Sequence, residues 1–186
     1  MVEVIEGQRS FTVEQYHHMG EAGVFGPEER VELIQGVIRE VSPKGRRHSI
    51  AVGLATQIFV PRLEGRASVQ IQDALSIKDV RSEPEPDVVV NSSPNPRDVR
   101  TEKSKPLLVI EVSDSSLRFD RVHKARIYAT AGIADYWIVN LIDDVLEVCR
   151  DPKDGSYTAR VVLQPTETVS PLSFPDLEIA VSDLLP

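Results

Sequence analysis

Six residues near the middle of the chain, Leu107-Leu108-Val109-Ile110-Glu111-Val112, set the tightest limit on what it can fold into. An unbroken apolar run of this kind predicts a strand covered on both faces, not one with a wet side. A single carboxylate sits inside it. An ionised Glu111 is costly there unless it is paired, metal-bound or at the strand end. The neighbouring segments extend the pattern. Asp87 opens a second strand, Asp87–Val90, behind the proline-broken entry Glu83–Pro86. Arg121–Ala131 predicts a helix, with Asp120 placed to cap it and Gly132 at its C-terminus. Tyr136–Val139 reads as another buried strand.

The rest of the chain adds shorter elements. Phe11–Met19 predicts a short helix, with capping-box spacing between Thr12 and Gln15. Arg30–Ile34 and Val37–Val41 predict a hairpin about Gln35–Gly36. Residues 48–60 read as a helix with an apolar stripe of Ile50, Ala51, Leu54, Ala55 and Ile58, ending near Pro61. Ala67–Gln72 and Ala74–Ile77 read as strands, and residues 91–105 as a mobile loop. Val145–Arg150 and Tyr157–Leu163 predict a hairpin across Asp151–Gly155. The last segment, ending in Asp183–Pro186, reads as irregular or as a short terminal turn. Strands alternating with a few helices give an α/β or α+β class with a mixed sheet. With 186 residues, no repeat and no linker, one domain over residues 1–186 is expected.

Composition narrows the function classes. Cys149 is the only cysteine, so no internal disulfide forms, and a small buried strand residue is the simplest role for it. The N-terminus lacks the pattern of a signal peptide, and no apolar stretch approaches a membrane span, so a cytoplasmic protein is expected. The net charge of −8 argues against a nucleic-acid binder. Its distribution softens that objection. Residues 44–66 hold five basic residues and one acidic, and residues 97–126 hold eight basic and five acidic. The basic excess thus falls around the candidate site. Solvated faces of separate helices and loops would look the same.

Asp87 and Glu111, 24 residues apart with an intervening loop, are positioned for neighbouring strands. Mg²⁺ prefers such oxygen ligands and commonly binds through one or two carboxylates with waters and substrate phosphate. The plain alternative is a salt bridge, with Lys124 or an arginine neutralising Glu111. Lys124 follows on the helix, where it would orient water or stabilise developing charge. Taken alone, a helical lysine is a solvated surface residue. Asp120 reads as a helix cap, and Arg121 as a surface residue with phosphate binding second. Glu32 either completes the site or faces solvent. His48, beside the basic loop Ser42–Arg46, is placed to hold phosphate or water. His17, His18 and His123 read as surface residues. No zinc spacing, G-x-S-x-G elbow or glycine-rich phosphate loop occurs.

Four stretches carry a resemblance: ERVELIQGVIREVSPKGRRHSI, EPEPDVVV, PLLVIEVSDSSLRFDRVHKARIYATAGIADYWIV and VSPLSFPDLEIAVSDLLP. Together they span most of the chain from about Glu29 onward, and they resemble the Uma2 family, also called DUF820, of the PD-(D/E)XK nuclease superfamily. The resemblance implies a restriction-endonuclease-like core, a mixed central sheet flanked by helices. It implies that Asp87 is the motif aspartate and Glu111 the acid of the (D/E)XK element. The superfamily lysine would stand at Ser113, and Lys124 matches the helical lysine that takes its place. The carbonyl of Val112 becomes a further metal ligand, Glu32 matches the family's N-terminal glutamate, and His48 matches its histidine before the long helix. Tyr128 and Trp137 match aromatic positions, read as core packing.

The expected function is hydrolysis of nucleic-acid phosphodiester bonds, DNA foremost, by a Mg²⁺-dependent endonuclease in which Mn²⁺ can substitute. Asp87 and Glu111 bind metal, Lys124 positions water or steadies charge, and Glu32 assists. Residues 44–47, 97–105 and 118–126 grip phosphates. A homodimer is expected, since double-strand cleavage needs two sites. The rival is a nucleic-acid- or protein-binding module that keeps the fold without turnover, favoured by the acidic charge and the displaced lysine. A third reading makes Glu111 and Lys124 a purely structural pair.

Overall fold

The computed structural model describes residues 9–101 and 103–186, at Arg100 the backbone alone. Residues 1–8, part of the stretch read as lacking a signal peptide, and Glu102 of the 97–105 segment lie outside the described residues. The chain divides into two compact units, Met1–Pro43 with Ala74–Glu85, and Lys44–Asp73 with Pro86–Pro186. Among the described residues no helix is long and apolar enough to cross a membrane.

The first unit follows its local signals. Helix α1 (Val13–Glu21) opens on the expected capping box. The Gln15 N–H donates to Thr12 Oγ1 at 3.2 Å, and the Thr12 N–H donates to Gln15 Oε1 at 3.1 Å. Strands β1 (Val31–Ile34) and β2 (Val37–Glu40) pair antiparallel. Gln35 and Gly36 join them with φ of 50° and 79°, the left-handed pair that a two-residue hairpin turn requires. A Cβ on Gly36 would lie 1.9 Å from Ser10 Oγ, so the position needs glycine for space as well. The strand expected over Ala74–Ile77 does not form. Ile77 makes only an isolated bridge to Ser82, and the chain turns at once through a 3-10 helix, Lys78–Val80. Four residues ahead of a tight return leave no room for a ladder.

The second unit is built on a six-stranded sheet. Its strands lie side by side in the order β3 (Ser68–Ile71), β4 (Val88–Asn91), β5 (Pro106–Ser113), β6 (Asp135–Asn140), β7 (Val145–Lys153) and β8 (Ser156–Leu163). Neighbours are antiparallel except β5 and β6, which are parallel. Parallel neighbours need a crossover. Residues 114–134 supply it as a helical run: α3 (Leu117–Phe119), a π-helical turn (Asp120–Lys124) and α4 (Ala125–Thr130). The loop after β4, expected to be mobile, contains a 3-10 helix at Pro96–Thr101.

Period-two alternation sorts the residues of β5 between two faces. Leu108, Ile110 and Val112 join Val88, Val90, Trp137 and Val139 in the core with Ala51, Val52, Ala55 and Phe59 of α2 (Arg46–Arg62). Glu111 is out of phase with that set and belongs to the opposite face. The stripe on α2 is rotated from the expected one. Ile50 is exposed and Phe59 is fully buried. As expected, α2 ends near Pro61, which lies in its last turn, and the Leu63 N–H still reaches the Phe59 carbonyl at 3.1 Å. The tail forms the short terminal turn that is one of its two expected alternatives, together with a strand pair ahead of it. Strand β9 (Thr168–Val169) pairs with β10 (Ile179–Ala180), and a 3-10 turn, Val181–Leu184, closes the core. A mixed central sheet with flanking helices is thus the observed α+β fold.

Candidate active site

Strands β4 and β5 bring the two carboxylates of the sequence together. Their register pairs Val88 with Ile110. Continued by one residue, it sets Asp87 opposite Glu111 at the end of β4. Both are about 3% exposed. Asp87 is held by four donors. Its Oδ1 accepts from Lys44 Nζ at 3.1 Å and Gln72 Nε2 at 3.1 Å. Its Oδ2 meets His48 Nε2 at 3.0 Å and the Val112 N–H at 2.9 Å. Burial pushes the Asp87 carboxyl up. The His48 hydrogen bond and charge, the Lys44 charge and the Val112 N–H outweigh it, and the group ends well below the ordinary carboxylate range. Asp87 is therefore a buried anion.

Glu111 is tied to the crossover helix. Lys124 Nζ donates to its Oε1 at 3.0 Å, and Tyr128 Oη donates to the same oxygen at 2.6 Å. Lys124 is itself buried, so the solvated reading of a helical lysine does not apply. Tyr128, expected only to pack, also carries a polar role. Trp137 is fully buried, as expected, and its indole N–H donates to Asp135 Oδ1 at 2.8 Å.

Asp120 is not the cap the sequence suggests. The helical run begins earlier, at Leu117, and Asp120 lies inside the π-helical turn. Its Oδ2 accepts from Ser113 Oγ at 2.7 Å and Ser116 Oγ at 2.6 Å. Ser113, at the position of the superfamily lysine, thus holds a carboxylate. Burial raises the Asp120 pKa against the opposing pull of Lys124 and the two serines, and the Asp87 charge adds to the rise. A carboxyl raised in the folded state contributes stability that is present at acid pH and lost as pH climbs through the folded value. Asp120→Asn is expected to flatten that decline. Its Tm curve should rise about 2–4 °C above wild type by pH 8 for each kcal/mol of relief. Melting curves from pH 4 to 8 check this, and parallel curves would mean that Asp120 does not titrate there.

The other candidates fall as follows. His48 is buried at the start of α2. Its Nε2 meets Asp87, and its Nδ1 is buried without a hydrogen-bond partner among the described residues. Val112 contributes its N–H to Asp87. Arg121 donates through Nε and Nη2 to the fully buried Glu147, which also meets Arg160 and Asn140. Arg47 bonds the Leu141 carbonyl at 2.7 Å and Asp144. Glu32 belongs to the first unit, where its Oε1 accepts the Glu85 N–H at 2.9 Å. Cys149 is buried on β7, and burial pushes its thiol up to about 11, which makes it a poor nucleophile.

The donor set suits a hard divalent cation. An ionised aspartate and a glutamate lie on adjacent strands, and the flanking groups are nitrogen donors that balance negative charge. Such a cation needs only one or two protein carboxylates and fills its remaining positions with water. Among the described residues no three His, Cys, Asp or Glu side chains come together as a ready-made cage.

Comparison with known proteins gives the fold a context. No curated protein matches the chain at a significant level. Among solved structures, a "putative nuclease belonging to DUF820" from Anabaena variabilis ATCC 29413 superposes with a TM-score of 0.62 at 17% identity, covering 94% of this chain and 97% of that one. At this identity the likeness speaks for the fold alone. The Uma2 family model, described as "Putative restriction endonuclease", matches residues 13–182. Nearly the whole chain is covered by that match, and the protein belongs to the Uma2 family.

Proposed function

We propose that the protein is a Mg²⁺-dependent endonuclease that hydrolyses phosphodiester bonds of nucleic acid, DNA foremost. The observation that carries this reading is the register that sets Asp87 beside Glu111 on adjacent strands, with Lys124 paired to Glu111 and the Asp87 carboxyl held below the ordinary range. Uma2 membership and the fold shared with a DUF820 protein support a nuclease in general terms. In the reaction a water oxygen bonds to phosphorus, the bond to the leaving ester oxygen breaks, and that oxygen departs with a proton. Asp87, Glu111 and the Val112 carbonyl are the oxygens that would hold the cation. Bound there, Mg²⁺ would polarise the phosphoryl oxygens and ease ionisation of the attacking water. Lys124, on a flexible stem, would shift from Glu111 toward the charge developing on the phosphoryl group. The Nδ1 of His48, buried without a partner among the described residues, offers a contact to water, or to a phosphate oxygen when it carries a proton and donates. Lys44, Arg46 and Arg47 surround the N-terminus of α2, where cations and helix dipole both favour a phosphate. Two copies paired about a two-fold axis would cut both strands of a duplex.

Cleavage of mixed DNA and RNA substrates tests the reading, with Mg²⁺, Mn²⁺ or chelator, in wild type and Lys124→Ala. Metal-dependent cutting is expected, reduced about 10²- to 10³-fold in the variant with its folding verified by circular dichroism. Equal cutting by both proteins would remove Lys124 from the site. Metal-independent binding without cutting would favour the binding-module reading, which the full set of donors on Asp87 also suits.

A further inference from the structure

The coordination of Asp87 raises a question that the nuclease reading leaves open. A carboxylate offers about four lone-pair positions. All four on Asp87 are taken, by Lys44, Gln72, His48 and the Val112 N–H. A cation can bind Asp87 only if one donor leaves. The Val112 N–H is fixed by a buried central strand, and His48 is buried on α2. Gln72 can turn its amide so that an oxygen replaces the donor, which frees a position on Oδ1 but leaves the Lys44 charge against it. Lys44 has no such alternative. Its ammonium carries only donors, and its charge repels a second cation on the same oxygen.

We propose that Lys44 is a built-in placeholder for the divalent cation, and that ammonium and metal exclude one another on Asp87 Oδ1. This inference rests on the metal reading of Asp87 given above. Three features suit Lys44 to the exchange. It sits just ahead of the N-terminus of α2, outside any regular element. Its side chain is partly open to solvent, 17% exposed against 4% for Asp87. Its four-carbon stem lets the ammonium swing out without moving backbone. In the metal-free protein it neutralises a buried anion. Once displaced, it remains a cation beside the site, within reach of an incoming phosphate.

The test is calorimetric titration of Mg²⁺ and Mn²⁺ into wild type, Lys44→Met, Lys44→Arg and Asp87→Asn, with folding checked by circular dichroism. Lys44→Met keeps the length and loses the charge, and should bind at least about tenfold more tightly. Lys44→Arg should bind like wild type or more weakly, and Asp87→Asn should lose binding. Wild-type binding that Lys44→Met leaves unchanged or weakens would overturn the placeholder and spare the metal reading. Absence of binding in wild type and Lys44→Met alike would overturn the metal reading itself. A second readout needs no variant. Saturating Mg²⁺ should increase acetylation of Lys44 in the wild-type protein, measured by mass spectrometry, and unchanged labelling under saturation would count against displacement.

Discussion

Asp87→Asn is expected to lower metal-dependent cleavage by about 10³-fold or more, the loss that would follow if Asp87 is the direct anionic ligand proposed for the cation. The substitution is nearly isosteric, but its consequences run through four partners. An asparagine oxygen can still accept from the Val112 N–H or from Lys44. Its NH₂ faces the remaining donors, so two hydrogen bonds are replaced by donor–donor contacts. Folding stability should change in a pH-dependent way. Asp87 has a folded pKa below its unfolded one. Its contribution is therefore present above the ordinary carboxylate range and is lost as pH falls toward the folded value. The variant lacks that titration. Its stability should sit below wild type at pH 7, and the two curves should converge in acid. Initial rates with Mg²⁺ and urea unfolding at pH 3 and pH 7 check both halves. Full cleavage in a folded variant would dismiss Asp87 as a ligand, and a gap that does not narrow in acid would dismiss its role as a buried anion.

The parts of this fold that were legible in the chain are those fixed by local chemistry. Thr12 and Gln15 cap α1 within three residues of one another. Gln35–Gly36 turns a hairpin through its own dihedral angles. The apolar run of β5 needs only its own composition to declare a doubly covered strand. The acids Asp87 and Glu111 stood out because each is a charge where burial was already expected. The groups that hold them did not. Lys44 and Gln72 lie 43 and 15 residues from Asp87, and neither differs in type from any solvent-facing lysine or glutamine. Only the tertiary arrangement brings them to Asp87. Asp120 misled for a related reason. An aspartate ahead of a helical pattern has the chemistry of a cap, but the Ser113 and Ser116 hydroxyls draw it inward and the helix starts before it. The serine at the superfamily lysine position carried a faint signal, since a buried hydroxyl at a strand end needs a partner. Pro61, by contrast, marked the end of α2 to within one residue, because a proline is tolerated in a last turn but not beyond it in a continuing helix.

Glu111 and Lys124 permit a sharper separation of stability from chemistry. Glu111→Ala is expected to destabilise the protein by about 3–5 kcal/mol, because a buried ammonium and the Tyr128 hydroxyl lose their shared acceptor. Lys124→Met should cost a similar amount, since it leaves a buried carboxylate with less compensation. The double change Glu111→Leu with Lys124→Met replaces the pair by apolar groups of comparable size. It should recover most of either loss, because exchanging a whole buried pair is often neutral or stabilising. Urea unfolding of the four proteins gives the coupling energy directly. Activity should not follow stability. If the pair belongs to the cleavage site, the refolded double variant is as inactive as either single one. A double variant that is both stable and active would make the pair structural, and would move the chemistry elsewhere on the sheet. Additive losses would show that Glu111 and Lys124 are stabilised mainly by other neighbours. Recovered folding with absent cleavage is the combination that the acid–acid–lysine reading requires, since it leaves the scaffold intact and removes only the charges meant to act on a phosphate.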